Sequence, residues 1–199
     1  MILPAGVYRY ELRRGGDRIA SEETRLGDGT ITGSRRSADG LTGYELDAAI
    51  DAEGLVRRVS VRYASSLFKR NVTYEADGEM LRGSVSALAG RNEVVIKLGR
   101  FREIDAAGFV IFRALTIMHM QVRGTVRWTG RVAVIDAGTL VAAALKQNCG
   151  RQDESGRRWL YEPRMGDAEE IELDEAGRIT RRRDNRGVET VLTGFDTAG

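Results

Sequence analysis

The sequence predicts a mostly β protein, a curved antiparallel barrel or half-barrel with a short helical or irregular cover. Three observations predict it. Glycine is abundant at 24 residues while proline is scarce at two, the usage of a chain with many tight turns. Turn signals recur roughly every ten residues, the spacing of a meander. The segments between them hold β-branched and aromatic residues, which fit a pleated surface.

The turns come in two forms. Asp28-Gly29, Asp39-Gly40 and Asp77-Gly78 are pairs suited to two-residue hairpins. Asp51-Ala52-Glu53-Gly54, Asp153-Glu154-Ser155-Gly156, Asp174-Glu175-Ala176-Gly177 and Asp184-Asn185-Arg186-Gly187 share the form Asp-x-x-Gly. There the carboxylate satisfies turn amides and the glycine takes a left-handed position. Between these signals strands are expected over 5–14, 17–27, 30–38, 41–50, 55–64, 68–76, 79–87 and 92–98. Val7, Tyr8 and Tyr10 mark the first of them, Val56, Val59, Val61 and Tyr63 the fifth.

Residues 105–122 break the pattern. Asp105 suits a helix cap, and Ile111, Leu115 and Met118 follow a helical spacing. A strand reading competes, because the run is rich in β formers. We read a short helix or an irregular lid. Strands resume over 125–135, 139–148, 157–163, 168–173, 178–183 and 188–193. The hairpin around Asp174–Gly177 is expected to pair Leu173 with Arg178, Glu170 with Arg181 and Glu169 with Arg182, bringing opposite charges together. No Gly/Ser/Pro-rich linker divides the chain, so residues 1–199 are expected to form a single antiparallel β domain.

Composition narrows the function classes. Hydrophobic residues make up 42% and charged residues 30%, and the net charge is +2. Arginine dominates the basic residues, but most are interspersed with acids. The one cluster, Arg178, Arg181, Arg182, Arg183 and Arg186, follows the acidic run Glu169, Glu170, Glu172, Asp174 and Glu175. Internal compensation is the better reading, and no nucleic-acid partner is expected. The most apolar run, 106–120, is short and interrupted by Arg113, so no stable membrane insertion is expected. One cysteine and no evident leader suit a reducing, cytoplasmic location.

Few residues offer chemistry. His119 is the only histidine and a candidate base; the plainer reading is a histidine satisfied at a core edge. Cys149 is a candidate nucleophile, against the plainer reading of a small buried hydrophobe. Metal-ligand spacings, a GxSxG elbow, a phosphate-binding loop and a dinucleotide fingerprint are all missing, so no metal and no cofactor are expected. Trp128, Trp159 and Tyr161 are candidates for a cavity wall, against sheet packing. Arg113 faces the polar head of a ligand if the apolar run is a lid, or solvent if it is not.

The segments Gly6-Val7-Tyr8-Arg9-Tyr10, Asp51-Ala52-Glu53-Gly54-Leu55 and Asp174-Glu175-Ala176-Gly177-Arg178, with the apolar insertion from Phe109-Val110-Ile111-Phe112, distantly resemble the LolA-like group of lipid-binding β proteins, including proteins to which glycolipid binding is ascribed. The resemblance implies a curved antiparallel sheet with helical cover that encloses apolar material, and it carries over no individual site residue. The leading expectation is non-covalent binding of a lipid or other apolar metabolite. An isomerase, cyclase or hydrolase acting in the same cavity is one alternative. A structural or protein-interaction module, with its partner left open, is another.

Overall fold

The structure is a computed structural model that describes residues 3–87, 90–98, 103–163 and 167–197. Among them are fifteen strands and one helix. The first run is β1 (Gly6–Arg14), β2 (Asp17–Gly27), β3 (Thr30–Ser37), β4 (Thr42–Ile50), β5 (Val56–Ser65), β6 (Lys69–Asp77), β7 (Met80–Ala87) and β8 (Gly90–Lys97). Then come β9 (Ile104–Ala106), α1 (Val110–Val122), β10 (Arg127–Ile135), β11 (Ala142–Arg151), β12 (Arg158–Pro163), β13 (Glu169–Leu173), β14 (Ile179–Asp184) and β15 (Val188–Thr197). All strands join one curved, open sheet in the order β8 to β1, then β15 to β9. The strands meander in both directions from a central β1–β15 pair.

Every pair is antiparallel except β9 with β10, which run parallel. A parallel pair needs a long crossover, and α1 supplies it. The helix carries Val110, Ile111, Phe112, Ala114, Leu115, Ile117, Met118 and Met120 around its whole circumference, and all are buried. A helix that is apolar all round belongs in a core. The helical cover expected over 105–122 is therefore a buried element inside the curl of the sheet, not a lid across its mouth. It displaces the expected cap as well. Asp105 lies in β9, and the helix starts at Val110 with no side-chain bond from the preceding Phe109.

The sheet closes by side chains where its ladder does not. The β10–β11 connection lies on the inner face of β4 and β6. Tyr74 donates to Leu140 O at 3.0 Å and accepts from Ala142 N–H at 2.9 Å. Tyr44 donates to Ala137 O at 3.1 Å, and Arg70 to Gly138 O at 3.0 Å. The connection is itself ordered: Asp136 accepts from the Gly138 and Thr139 amides, and buried Leu140 is left-handed at φ 58°. The strand expected from residue 139 accordingly starts at Ala142. Replacing Tyr74 by Phe strands a buried carbonyl and a buried amide together. The expected loss is about 1–3 kcal/mol, read as a lower Tm in thermal denaturation.

The hairpin expected over 168–183 is β13–β14, but its register differs. Glu172 faces Arg181 and Glu170 faces Arg183, while Leu173 faces Ile179 across a bulge. The turn closes on Asp174, whose N–H donates to Arg178 O at 3.0 Å, one residue later than expected, and the bulge absorbs a further residue. Opposite charges still meet. The arginine cluster is compensated partly by the acidic run, with Arg178 on Asp174 and Arg182 on Glu169, and partly by acids outside it, with Arg181 on Glu189 and Arg186 on Asp167.

Candidate functional site

The helix has no acidic residue in its first turn, so its positive end is served from elsewhere. Glu22 of β2, with its side chain fully buried, accepts the Val110 amide at 2.9 Å through Oε1. Its Oε2 accepts two N–H groups of Arg35, from Nε at 3.0 Å and Nη2 at 2.5 Å. Arg35 then reaches the carbonyls of Ala107 and Gly108 at 2.9 and 2.7 Å. Both of these residues are left-handed, and the bend turns their carbonyls to the guanidinium.

One turn further on, Arg113 is clamped between two strands. Its Nη1 meets Asp105 at 2.7 Å and its Nε meets Glu169 at 3.0 Å. Its guanidinium lies 3.9 Å from the centre of the Tyr161 ring. Burial disfavours the charge on Arg113, but Asp105 and Glu169 outweigh it and hold the pKa well above the ordinary value. Burial likewise opposes ionisation of Glu169, and Arg113 and Arg182 reverse that, lowering its pKa.

At the other end of α1, His119 is held on both sides. Its Nδ1 lies 2.9 Å from Glu103 Oε1 and its Nε2 lies 3.0 Å from Glu53 O. A carbonyl oxygen only accepts, so Nε2 carries a proton. When Nδ1 is protonated as well, the ring is an imidazolium that donates to Glu103. Burial works against that charge, but the bond to Glu103 and its negative charge prevail, and the pKa is raised above 6.5. Thr116 donates to the second Glu103 oxygen at 3.1 Å. The stabilisation is present in full below 6.5, the ordinary histidine value, and is lost as pH rises through the raised value. The stability difference between wild type and His119→Asn is therefore expected to shrink as pH rises, in denaturant titrations at successive pH values.

The Glu53 carbonyl is placed by a turn. Asp51 Oδ1 accepts from the Glu53 and Leu55 amides at 3.0 and 2.9 Å, and Gly54 is left-handed at φ 80°. A Cβ on Gly54 would sit 3.1 Å from His119 Nε2 and 3.2 Å from Met118 Cε, so the turn packs against the helix only with glycine there. Between this turn, the β2–β3 turn and the last turns of α1 lies a cleft of ≈ 520 Å³. Leu3, Leu26, Ile50, Leu115, Met118 and Val122 give it apolar walls, and Asp28, Asp51, Glu53, His119 and Arg123 add polar groups. Its size falls within the usual range for small-molecule sites.

Of the residues singled out from sequence, His119 alone lines this cleft. Trp159 is buried with its indole N–H on Gly156 O at 2.8 Å. Tyr161 stacks on Arg113, and its hydroxyl has no hydrogen-bond partner among the described residues. Trp128 borders a gap of ≈ 10 Å³ beside Glu103 and His119. Cys149 pairs across the sheet with Trp128 and Tyr161, and burial pushes its thiol up to about 12. A thiol so protonated is a core group rather than an activated nucleophile. Sequence reasoning missed Leu26, Ile50, Leu115, Met118 and Val122 as a wall. Leu26 and Ile50 showed only as flanks of the Asp28-Gly29 and Asp51–Gly54 turns, and Leu115 and Met118 only as a helical spacing.

No known family model matches the chain, and no curated protein matches it. Solved structures do. A DUF1089 family protein from Pseudomonas aeruginosa is 21% identical, with a TM-score of 0.62 over 84% of this chain and 90% of that one. A beta-barrel-like protein of the domain of unknown function DUF1849 from Brucella abortus is 10% identical, with a TM-score of 0.60 over 100% of this chain and 99% of that one. At these identities the likeness is one of fold, and the chain has a β-barrel-like fold built on a large curved antiparallel sheet.

Proposed function

We propose that the protein binds a small apolar molecule, a lipid chain or an apolar metabolite, non-covalently in the cleft at the carboxyl end of α1. One observation carries this reading. In a fold whose interior is filled by its own helix, ≈ 520 Å³ of space remains beside Leu115, Met118 and Val122. Burial of apolar ligand surface supplies the drive, and the mixed rim charges orient a polar end. The sequence resemblance to lipid-binding β proteins points the same way. Proton transfer by His119 would require breaking one of the two bonds that hold its ring, which favours binding over catalysis.

Val122 lines the cleft yet is 61% exposed, so it can be changed without opening the core. Val122→Glu sets a charge at the mouth. It is expected to weaken binding of dodecanol at least about tenfold while Tm holds. Isothermal titration checks the affinity. Unchanged affinity in this variant would sink the proposal.

A further inference from the structure

Successive hairpins place their turns at alternate ends of the sheet, and the cleft occupies one end. At the other, the β3–β4 and β5–β6 turns lie side by side, since Thr42 pairs with Ser65. Each turn is wired to hold apolar side chains in water. The Ser65 hydroxyl accepts from the Leu67 and Phe68 amides at 3.3 and 3.2 Å, and the Ser65 amide donates to Phe68 O at 2.9 Å. Asp39 Oδ1 accepts from the Leu41 amide at 2.9 Å and from the Ser37 hydroxyl at 2.5 Å. As a result Leu67 is 88% exposed, Leu41 59% and Phe68 44%. Single exposed hydrophobes are ordinary on a surface, but here three sit on two adjoining ordered turns at one end of the sheet, with Phe68 propped on Tyr63.

The charges around the patch have a sign. A second cleft, of ≈ 530 Å³, opens between the two turns and is lined by Arg36, Arg62, Lys69 and several hydroxyls. Arg62 is paired with Glu45 at 2.8 Å. Arg70 lies 4.9 Å from the centre of the Phe68 ring and donates to Gly138 O. The nearby carboxylates are Glu45, paired with Arg62, and Asp39 and Asp136, which accept hydrogen bonds from neutral groups only. Arg36 and Lys69 make no ion pair among the described residues, and with Arg70 they outnumber Asp39 and Asp136, so the local balance is positive.

We infer that this end of the sheet docks on the surface of an anionic lipid bilayer, with Leu41, Leu67 and Phe68 seated at the headgroup boundary and a headgroup phosphate between Arg36 and Lys69. Apolar tips flanked by cations are the chemistry of interfacial binding. The apolar groups project from two separate turns instead of lining a groove, which suits a surface that moulds around them better than a rigid protein face. Docking of this kind is peripheral: among the described residues no helix is long and apolar enough to cross a membrane.

Flotation with vesicles of phosphatidylserine and phosphatidylcholine in equal parts tests the inference, against vesicles of phosphatidylcholine alone. Binding is expected to the mixed vesicles and to weaken with salt. Leu67→Ser with Phe68→Ser is expected to lower partitioning about tenfold or more. Arg36→Ser and Lys69→Ser are each expected to lower it about fivefold. Val126→Ser, an exposed apolar position away from both turns, is expected to leave it unchanged. Equal binding to the two vesicle types, or indifference to the turn variants, overturns the inference. So does a concentration-dependent dimer abolished by the same variants with no vesicle binding, which assigns the patch to a second copy. Saturable binding of inorganic phosphate without vesicle binding also overturns it. Dodecanol titration reads the other cleft, so failure here is distinguishable from failure of the proposed function.

Discussion

Replacing Arg113 by Ala is expected to cost about 3–5 kcal/mol, because it leaves buried Asp105 without its cation and Glu169 with only the more distant Arg182, at 3.8 Å. Asp105 and Glu169 both lie on Arg113, at 2.7 and 3.0 Å, and its side chain is only 7% exposed. For a chain of this length that loss lowers Tm by about 10 °C. Arg113→Lys keeps a charge but loses the planar fork and the stack on Tyr161, so it is expected to recover only part. Acid acts through the same cluster. The pKa of Glu169 is lowered from 4.5, so its contribution is present above that value and disappears as pH falls through the lowered one. Equilibrium denaturation of wild type, Arg113→Ala and Arg113→Lys checks both effects. A loss no larger than that of a surface substitution would show that the cluster does not hold the helix.

Replacing Glu22 is expected to be nearly as costly, and in two separable steps. Glu22→Gln keeps an oxygen for the Val110 amide but removes the charge that holds Arg35. Glu22→Ala removes the cap as well. The cap is expected to account for about 0.5–2 kcal/mol of the difference between the two variants. The remainder reports the buried pair with Arg35, and the full loss in Glu22→Ala is expected near 3–5 kcal/mol. Amide exchange at Val110 distinguishes the steps: protection is expected to survive in Glu22→Gln and to fall in Glu22→Ala.

The strands were legible because their signals are local. Asp28-Gly29 and the Asp-x-x-Gly loops end and restart the chain as their chemistry requires, and the flanking β formers fill the intervals. The β13–β14 register was less so, because a bulge beside Leu173 leaves no mark in the charge pattern that Glu169–Glu172 and Arg181–Arg183 display. The helix was half legible. Its spacing shows in Ile111, Leu115 and Met118, but its burial follows from partners far along the chain: Glu22 caps it across 88 residues and Glu169 grips Arg113 across 56. The same distance effect hid the site. Trp128, Trp159 and Tyr161 suit a cavity wall by type, yet α1 occupies the space they would have lined. The cleft forms where two turns meet the end of that helix, and a turn residue announces only the turn.

The most direct test of ligand binding beside α1 is a titration of methyl-labelled methionine with dodecanol, followed by nuclear magnetic resonance. Met118 lines the cleft, while Met120, on the same helix, is buried beside the small gap near Trp128. A saturable shift of the Met118 methyl, with Met120 unmoved, is the expected result. A Met118 signal that stays still, or shifts of equal size at both methyls, would contradict the account.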